Sequence, residues 1–227
     1  MKLSLDPDVK VVLPDGSTRS LTTYLLPSAL LMLAALMLMI SMFLPYWSMT
    51  MTAPQYPKGL RVEVYVSHLE GDMREIDELN HYLGMKRLDE GGQLERSISV
   101  YAIVVLGLLL MGGVVIHNQW AGVLALPALG FPFIFVADLW WILYQFGHSI
   151  DPTSALGGAI KPFTPPVLGV GKVGQFGTIA SFEIGFYLAV AALGVVLMGL
   201  WFHRAAYKPI VDARKRAQTL TAQTVQA

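Results

Sequence analysis

Cysteine is absent from the 227 residues. With it go disulfides, thiolate zinc sites, iron–sulfur ligation, covalent c-type haem and dithiolate copper centres. Any metal or redox chemistry therefore falls to His, Met, carboxylate or a non-covalent cofactor. Charge is scarce as well: Asp, Glu, Lys and Arg make up 14% of the chain, against about a quarter in a soluble domain. The net charge is zero, so no electrostatic footprint points to nucleic acid. Walker, Rossmann, HExxH and nucleophile-elbow motifs are missing, as is a paired-acid hydrolase pattern. A stand-alone enzyme is not expected. Nor is there an internal repeat of the kind that marks a transporter's inverted halves.

What the chain has is apolar length, with 54% hydrophobic residues. Four runs, 24–47, 99–117, 121–146 and 178–203, reach the roughly 20 residues that cross a bilayer. The expected fold class is mainly α and integral to the membrane, with four transmembrane helices. The first run follows a polar leader, is too long for a signal-peptide core and lacks a small-x-small cleavage site, so it reads as a retained anchor. The leader, 1–23, contains a turn signal at Leu13-Pro14-Asp15-Gly16 and the cations Lys2, Lys10 and Arg19. The tail, 204–227, carries Arg204, Lys208, Arg214, Lys215 and Arg216 against Asp212. By the positive-inside rule both termini are expected in the cytoplasm of a bacterial inner membrane. Residues 48–98 and 147–177 then face the periplasm, the first as a small strand–helix insert and the second as an ordered Gly/Pro-rich loop.

The largest polar island is 60–85, LRVEVYVSHLEGDMREIDELNHYLGM. Leu60, Val62, Val64 and Val66 alternate with Arg61, Glu63, Tyr65 and Ser67, the pattern of a strand with one buried face. Gly71-Asp72 ends that strand, and Asp72 with Glu75 forms a capping pair for a helix. On the helix, Asp77, His81 and Met85 fall at i, i+4 and i+8 on one face, while Ile76, Leu79 and Leu83 line another. His68 and Met73 lie nearby. An imidazole, a thioether and a carboxylate in a row suit a soft metal ion, and thioethers select Cu(I). Met32, Met37, Met39 and Met42 in the first run read as adaptable helix filler. Met49 and Met51, at the water interface, could also meet a metal.

Two acids in the apolar runs call for explanation. Asp138 lies about eight residues, roughly 12 Å, from the outward end of its run, where an unpaired carboxylate is costly and a function or a partner is the default. Glu183 stands near the outward end of the last run. His148 and Asp151 open the second outer loop. Tyr46, Trp47, Trp140, Trp141 and Tyr144 form an expected aromatic belt. His117 and His203 read as interfacial polar residues, and Gly107, Gly112 and Gly113 as surfaces for close helix approach.

The segments YPKGLRVEVYVSHLEGDMREIDELNHYLGM and YQFGHSIDP…IKPFTPPVLGVGKVGQF, above all LNHYLGM, GHSIDP and FTPPVLG, resemble uncharacterised four-span membrane proteins that accompany nitrous-oxide reductase and copper-enzyme maturation genes. The resemblance implies copper handling, or electron supply to a periplasmic copper enzyme. It places His81 and Met85 at the matching positions, with His148 as the second-loop counterpart. The expected function is a non-catalytic membrane subunit or accessory protein of a periplasm-facing, copper-dependent redox or monooxygenase system. Its candidate Cu(I) ligands are His81, Met85, His68, Met73 and His148, and its partners the lipid bilayer and other membrane subunits. The alternatives are a purely structural subunit of a respiratory or photosynthetic complex, and an oligomeric transporter or channel using Asp138 and Glu183.

Overall fold

The computed structural model describes residues 10–12, 18–53, 55–118, 120–173 and 176–226. The chain divides into two compact units: Met1–Leu36, Leu106–Leu129 and Ala192–Ala227 in one, Met37–Val105 and Gly130–Ala191 in the other. In chain order the elements are β1 (Lys10–Val12), β2 (Thr18–Ser20), α1 (Thr22–Ser41), β3 (Trp47–Ala53), β4 (Tyr56–Val64), β5 (Leu69–Gly71), α2 (Met73–Leu83), α3 (Gln93–Val115), α4 (Trp120–His148), β6 (Gly169–Val173), β7 (Phe176–Phe182) and α5 (Ile184–Gln226). The turn expected at 13–16 lies outside the described residues.

The protein is mainly helical, and four helices are long and apolar enough to cross a membrane: α1, α3, α4 and the Ile184–Asp212 part of α5. No more than 28% of each apolar window is buried within the chain. The remaining apolar surface is costly in water and suits lipid contact, as expected of a multi-pass membrane protein.

The helix ends differ from the sequence expectation in an instructive way. The run expected over 24–47 is helical only to Ser41, because Trp47, Met49 and Met51 alternate with Ser48 and Thr50 and so build the strand β3. Residues 178–182 likewise belong to β7, and the last helix starts at Ile184. At its other end α5 runs through Pro209 to Gln226, where a tail was expected.

Within the unit formed by 37–105 and 130–191, the two inter-helix segments join in one antiparallel sheet of order β5-β4-β3-β7-β6. Met49 lies between Val62 on β4 and Ala180 on β7, and Trp47 between Val64 and Phe182. That face is the core: Trp47, Met49, Met51, Leu60, Val62 and Ala180 are buried together with Ile76 of α2 and Leu139 and Leu143 of α4. Tyr46 and Trp47 are therefore interior residues and not part of an aromatic belt. Tyr46 hydrogen-bonds Ser41 at 2.7 Å, and Trp47 Nε1 donates to the Val167 carbonyl at 2.6 Å.

In the other unit two of the three glycines expected at close helix approaches, Gly112 and Gly113, face neighbouring helices. A Cβ on Gly113 would reach Leu31 and Ala121, and one on Gly112 would reach Leu124.

Candidate functional site

The site region is built where β5 turns into α2. Gly71 has φ +108° and an added Cβ would overlap the Arg61 carbonyl, so glycine is required at this corner. Asp72 stands at the helix N-cap position, yet its side chain caps nothing. Its Oδ2 accepts the Arg61 N–H at 2.8 Å instead, tying β4 to the helix start. The expected Asp72–Glu75 capping pair is corrected accordingly: the sheet edge has claimed the carboxylate. Ile76 and Leu83 are buried and Leu79 packs on the same core, as expected for an amphipathic helix.

α2 stops at Leu83 because Gly84 takes the left-handed conformation at φ +74°. Its N–H donates to His81, and the Met85 N–H donates to Asn80 at 2.8 Å. Met85 is thus off the helix, and the expected Asp77–His81–Met85 face is corrected. The face that does form is Met73–Asp77–His81. These three line an open cleft of about 680 Å³ together with Tyr82, Arg87 and Asp89. Asp77 is already engaged: its Oδ1 accepts the Leu88 N–H at 2.7 Å, and its Oδ2 lies 3.7 Å from Arg87 Nε. Arg87 also pairs with Asp89 at 3.2 Å. His81 is exposed and Met73 half-buried. Chemically the cleft offers an imidazole and a thioether beside carboxylates that arginine already answers.

The remaining candidate ligands are dispersed. His68 is stacked on Tyr65, with Ser67 at its Nδ1 (2.9 Å) and Glu70 at its Nε2 (3.2 Å). His148 stacks on Tyr144 at 4.0 Å, and its Nδ1 donates to the Tyr144 carbonyl. Neither lines the α2 cleft. Met49 and Met51 are sheet core. Among the described residues, no group of three or more His, Asp or Glu is placed to hold a metal ion.

Glu183 and Asp138 have different surroundings. Glu183 Oε1 accepts from Ser48 Oγ at 2.6 Å and from Arg61 Nη2 at 2.9 Å, while Arg61 also reaches Glu63 at 2.8 Å. This network links β3, β4 and the entry to α5, so Glu183 acts as a fastener. Asp138 is half-buried on α4 with no hydrogen bond or ion pair among the described residues, and Glu95 is within electrostatic reach.

The two resemblance-bearing stretches meet. Asp151 N–H donates to the Gly84 carbonyl at 2.8 Å and Leu156 N–H to the Tyr82 carbonyl at 3.0 Å, so LNHYLGM and the loop opened by GHSIDP hold one another. The Thr153 hydroxyl and N–H both donate to Asp151 Oδ1 and keep its carboxyl below the usual range. With a lowered folded-state value, this contribution is complete at neutral pH. It is lost only as the pH falls through that value, under acid conditions below about 4. Tyr65 titrates above its ordinary value, through desolvation first and then the neighbouring Glu70 and Glu63 carboxylates.

His117 and His203, expected as interfacial polar residues, come together in the fold. Their rings lie parallel at 6.2 Å, both contact Tyr207, and His203 Nε2 donates to the Ile116 carbonyl at 3.0 Å. Only the folded chain shows this. The chain matches no protein-family model and no curated protein.

Proposed function

We propose that this chain is a non-catalytic, multi-pass membrane subunit or accessory protein that presents a folded sheet-and-helix cap to a partner in a periplasm-facing redox system. The reading is supported first by an apolar strip outside the helices. On the open edge strand β6, Val170 is 82% exposed and its cross-strand neighbour Ile179 54%, with Leu168 two residues before at 60%. An unpaired strand edge carrying apolar side chains is a ready docking element. The basic α5 extension, with Arg204 and Lys208 beyond the apolar run, supports placing the termini in the cytoplasm of a bacterial inner membrane and the cap opposite.

Mild-detergent purification from native membranes should recover the chain with defined membrane partners. The paired change Val170→Lys with Ile179→Lys should release them while the helices stay folded. A monodisperse protein without partners, or an unchanged partner set in the variant, overturns the reading.

Copper handling is the second reading: Met73 and His81 line one cleft, where, eight residues and about 12 Å apart along α2, they act as separate donors. A thioether or an imidazole without a thiol suits weak Cu(I) binding that hands the ion on. Under reductant, His81→Ala and Met73→Ala should each lower bound copper, and the two changes together should abolish it. Met85→Ala should leave it nearly unchanged. Copper near zero in every form removes the reading.

A further inference from the structure

At the start of α3 the chain passes from polar to apolar within a few residues, Gln93-Leu94-Glu95-Arg96-Ser97 leading into Ile98. Against this start lies a second cleft of about 260 Å³, walled by Trp141, Ile142 and Gln145 of α4 on one side and by Lys86, Glu90 and Glu95 on the other. Gly91 and Gly92 allow the close approach: a Cβ on Gly92 would come within 2.9 Å of Ile142, and one on Gly91 would overlap Phe146. The volume falls short of the roughly 300 Å³ at which pockets begin to enclose whole small molecules. It suits a polar head whose remainder lies outside.

The charged side chains of this cleft are exposed and open to a ligand. Among the described residues, Lys86, Glu90 and Glu95 enter none of the side-chain ion pairs, which use Arg61, His68, Arg74 and Arg87 as cations. Asp138 precedes Trp141, Ile142 and Gln145 by three, four and seven residues, so it shares their face of α4, one turn along from the cleft. Leading away along α3 are Leu94, Ile98 and Tyr101, exposed at 68%, 52% and 73%. They form an apolar track on a helix that suits lipid contact. Half-exposed Trp141 sits beside the cleft, the residue type enriched at the membrane–water boundary.

We propose that this cleft binds the headgroup of a zwitterionic phospholipid bearing a primary amine. Lys86 takes the phosphate, Glu90 and Glu95 accept hydrogen bonds from the ammonium, and the acyl chains run along Leu94, Ile98 and Tyr101. In the lining two carboxylates stand against one cation, and the nearby Arg96 is held by the Gly92 and Asp89 carbonyls, a balance that disfavours a purely anionic headgroup. A quaternary choline has no N–H to give the carboxylates. Ethanolamine meets both conditions.

The test is lipid retention by the full chain, read by native mass spectrometry and by the thermal midpoint in nanodiscs of phosphatidylethanolamine, phosphatidylcholine or phosphatidylglycerol. Phosphatidylethanolamine should be retained preferentially and raise the midpoint. The double variant Glu90→Gln with Glu95→Gln should weaken retention about tenfold, and Glu78→Gln on the exposed side of α2 should not. Equal retention of all three lipids, preference for the anionic lipid, or an unaffected double variant overturns the proposal. Free phosphoethanolamine, which lacks chains, should not displace the lipid. Displacement at equal concentration would overturn the lipid assignment in favour of a soluble ligand. If the double variant does not fold, the three-lipid comparison on the unmodified chain decides alone.

Discussion

Replacing Trp47 with alanine is expected to destabilise the protein by about 3–5 kcal/mol, the usual cost of truncating a fully buried aromatic. Trp47 is 2% exposed and opens the central strand β3, between Val64 and Phe182. Its indole N–H also donates to the Val167 carbonyl at 2.6 Å, and this bond ties the second inter-helix segment to β3. Truncation therefore leaves both a cavity and an unpaired carbonyl. The measurement is the unfolding midpoint in detergent, combined with limited proteolysis of 149–168. Cleavage there should accelerate in Trp47→Ala. In Trp47→Phe, which keeps most of the volume and loses the donor, the loss should be about 1–2 kcal/mol. A Trp47→Ala protein with an unchanged midpoint would show that the sheet core does not hold the cap together.

The second large effect is expected at Gly71. Its φ of +108° is strained for any L side chain, and an added Cβ would overlap the Arg61 carbonyl, which is backbone and cannot swing aside. Gly71→Ala should cost on the order of 2–3 kcal/mol. It should also pull α2 off its corner, since Arg61 N–H and Asp72 Oδ2 are joined at the same place. The control is Gly194→Ala, at an exposed position in the apolar part of α5, where nothing lies within 4 Å of the new methyl. That change should be neutral or stabilise slightly, by up to about 1 kcal/mol, because glycine is a poor helix former. Both are read from the same unfolding series. Equal behaviour of the two variants would contradict the account of the corner.

The four spans were legible in the sequence because lipid leaves few solutions: long apolar runs must close their own backbone hydrogen bonds. The amphipathic helix at 73–83 was legible from Ile76, Leu79 and Leu83 for the same periodic reason. The strand β3 was hidden by its neighbour. Trp47, Met49 and Met51 alternate correctly, but hydropathy merges Trp47 with the helix before it. The hairpin of β6 and β7 was harder, since Gly169, Gly171 and Gly177 carry little propensity and the pairing is decided by β3. The position of Met85 was readable in principle: a glycine following a helical run is the commonest stop signal, and Gly84 is one. Asp72 went to the Arg61 N–H because a sheet edge lies next to it, which no local spacing reveals. Likewise the charged cleft at the start of α3 joins residues about fifty positions apart and has no local signature.

Everything proposed for the cap depends on the two inter-helix segments forming one sheet, with Thr50 on β3 directly opposite Ile179 on β7. The chain has no cysteine, so a single introduced pair reports without background. Facing residues of antiparallel strands have Cα atoms about 4.5–5.5 Å apart, within the reach of a disulfide. Mild oxidation of membranes carrying Thr50→Cys with Ile179→Cys should give a crosslink within one chain, closing the loop from β3 to β7 in nearly all molecules. Free thiols, or crosslinks only between chains, would contradict the pairing on which the account rests.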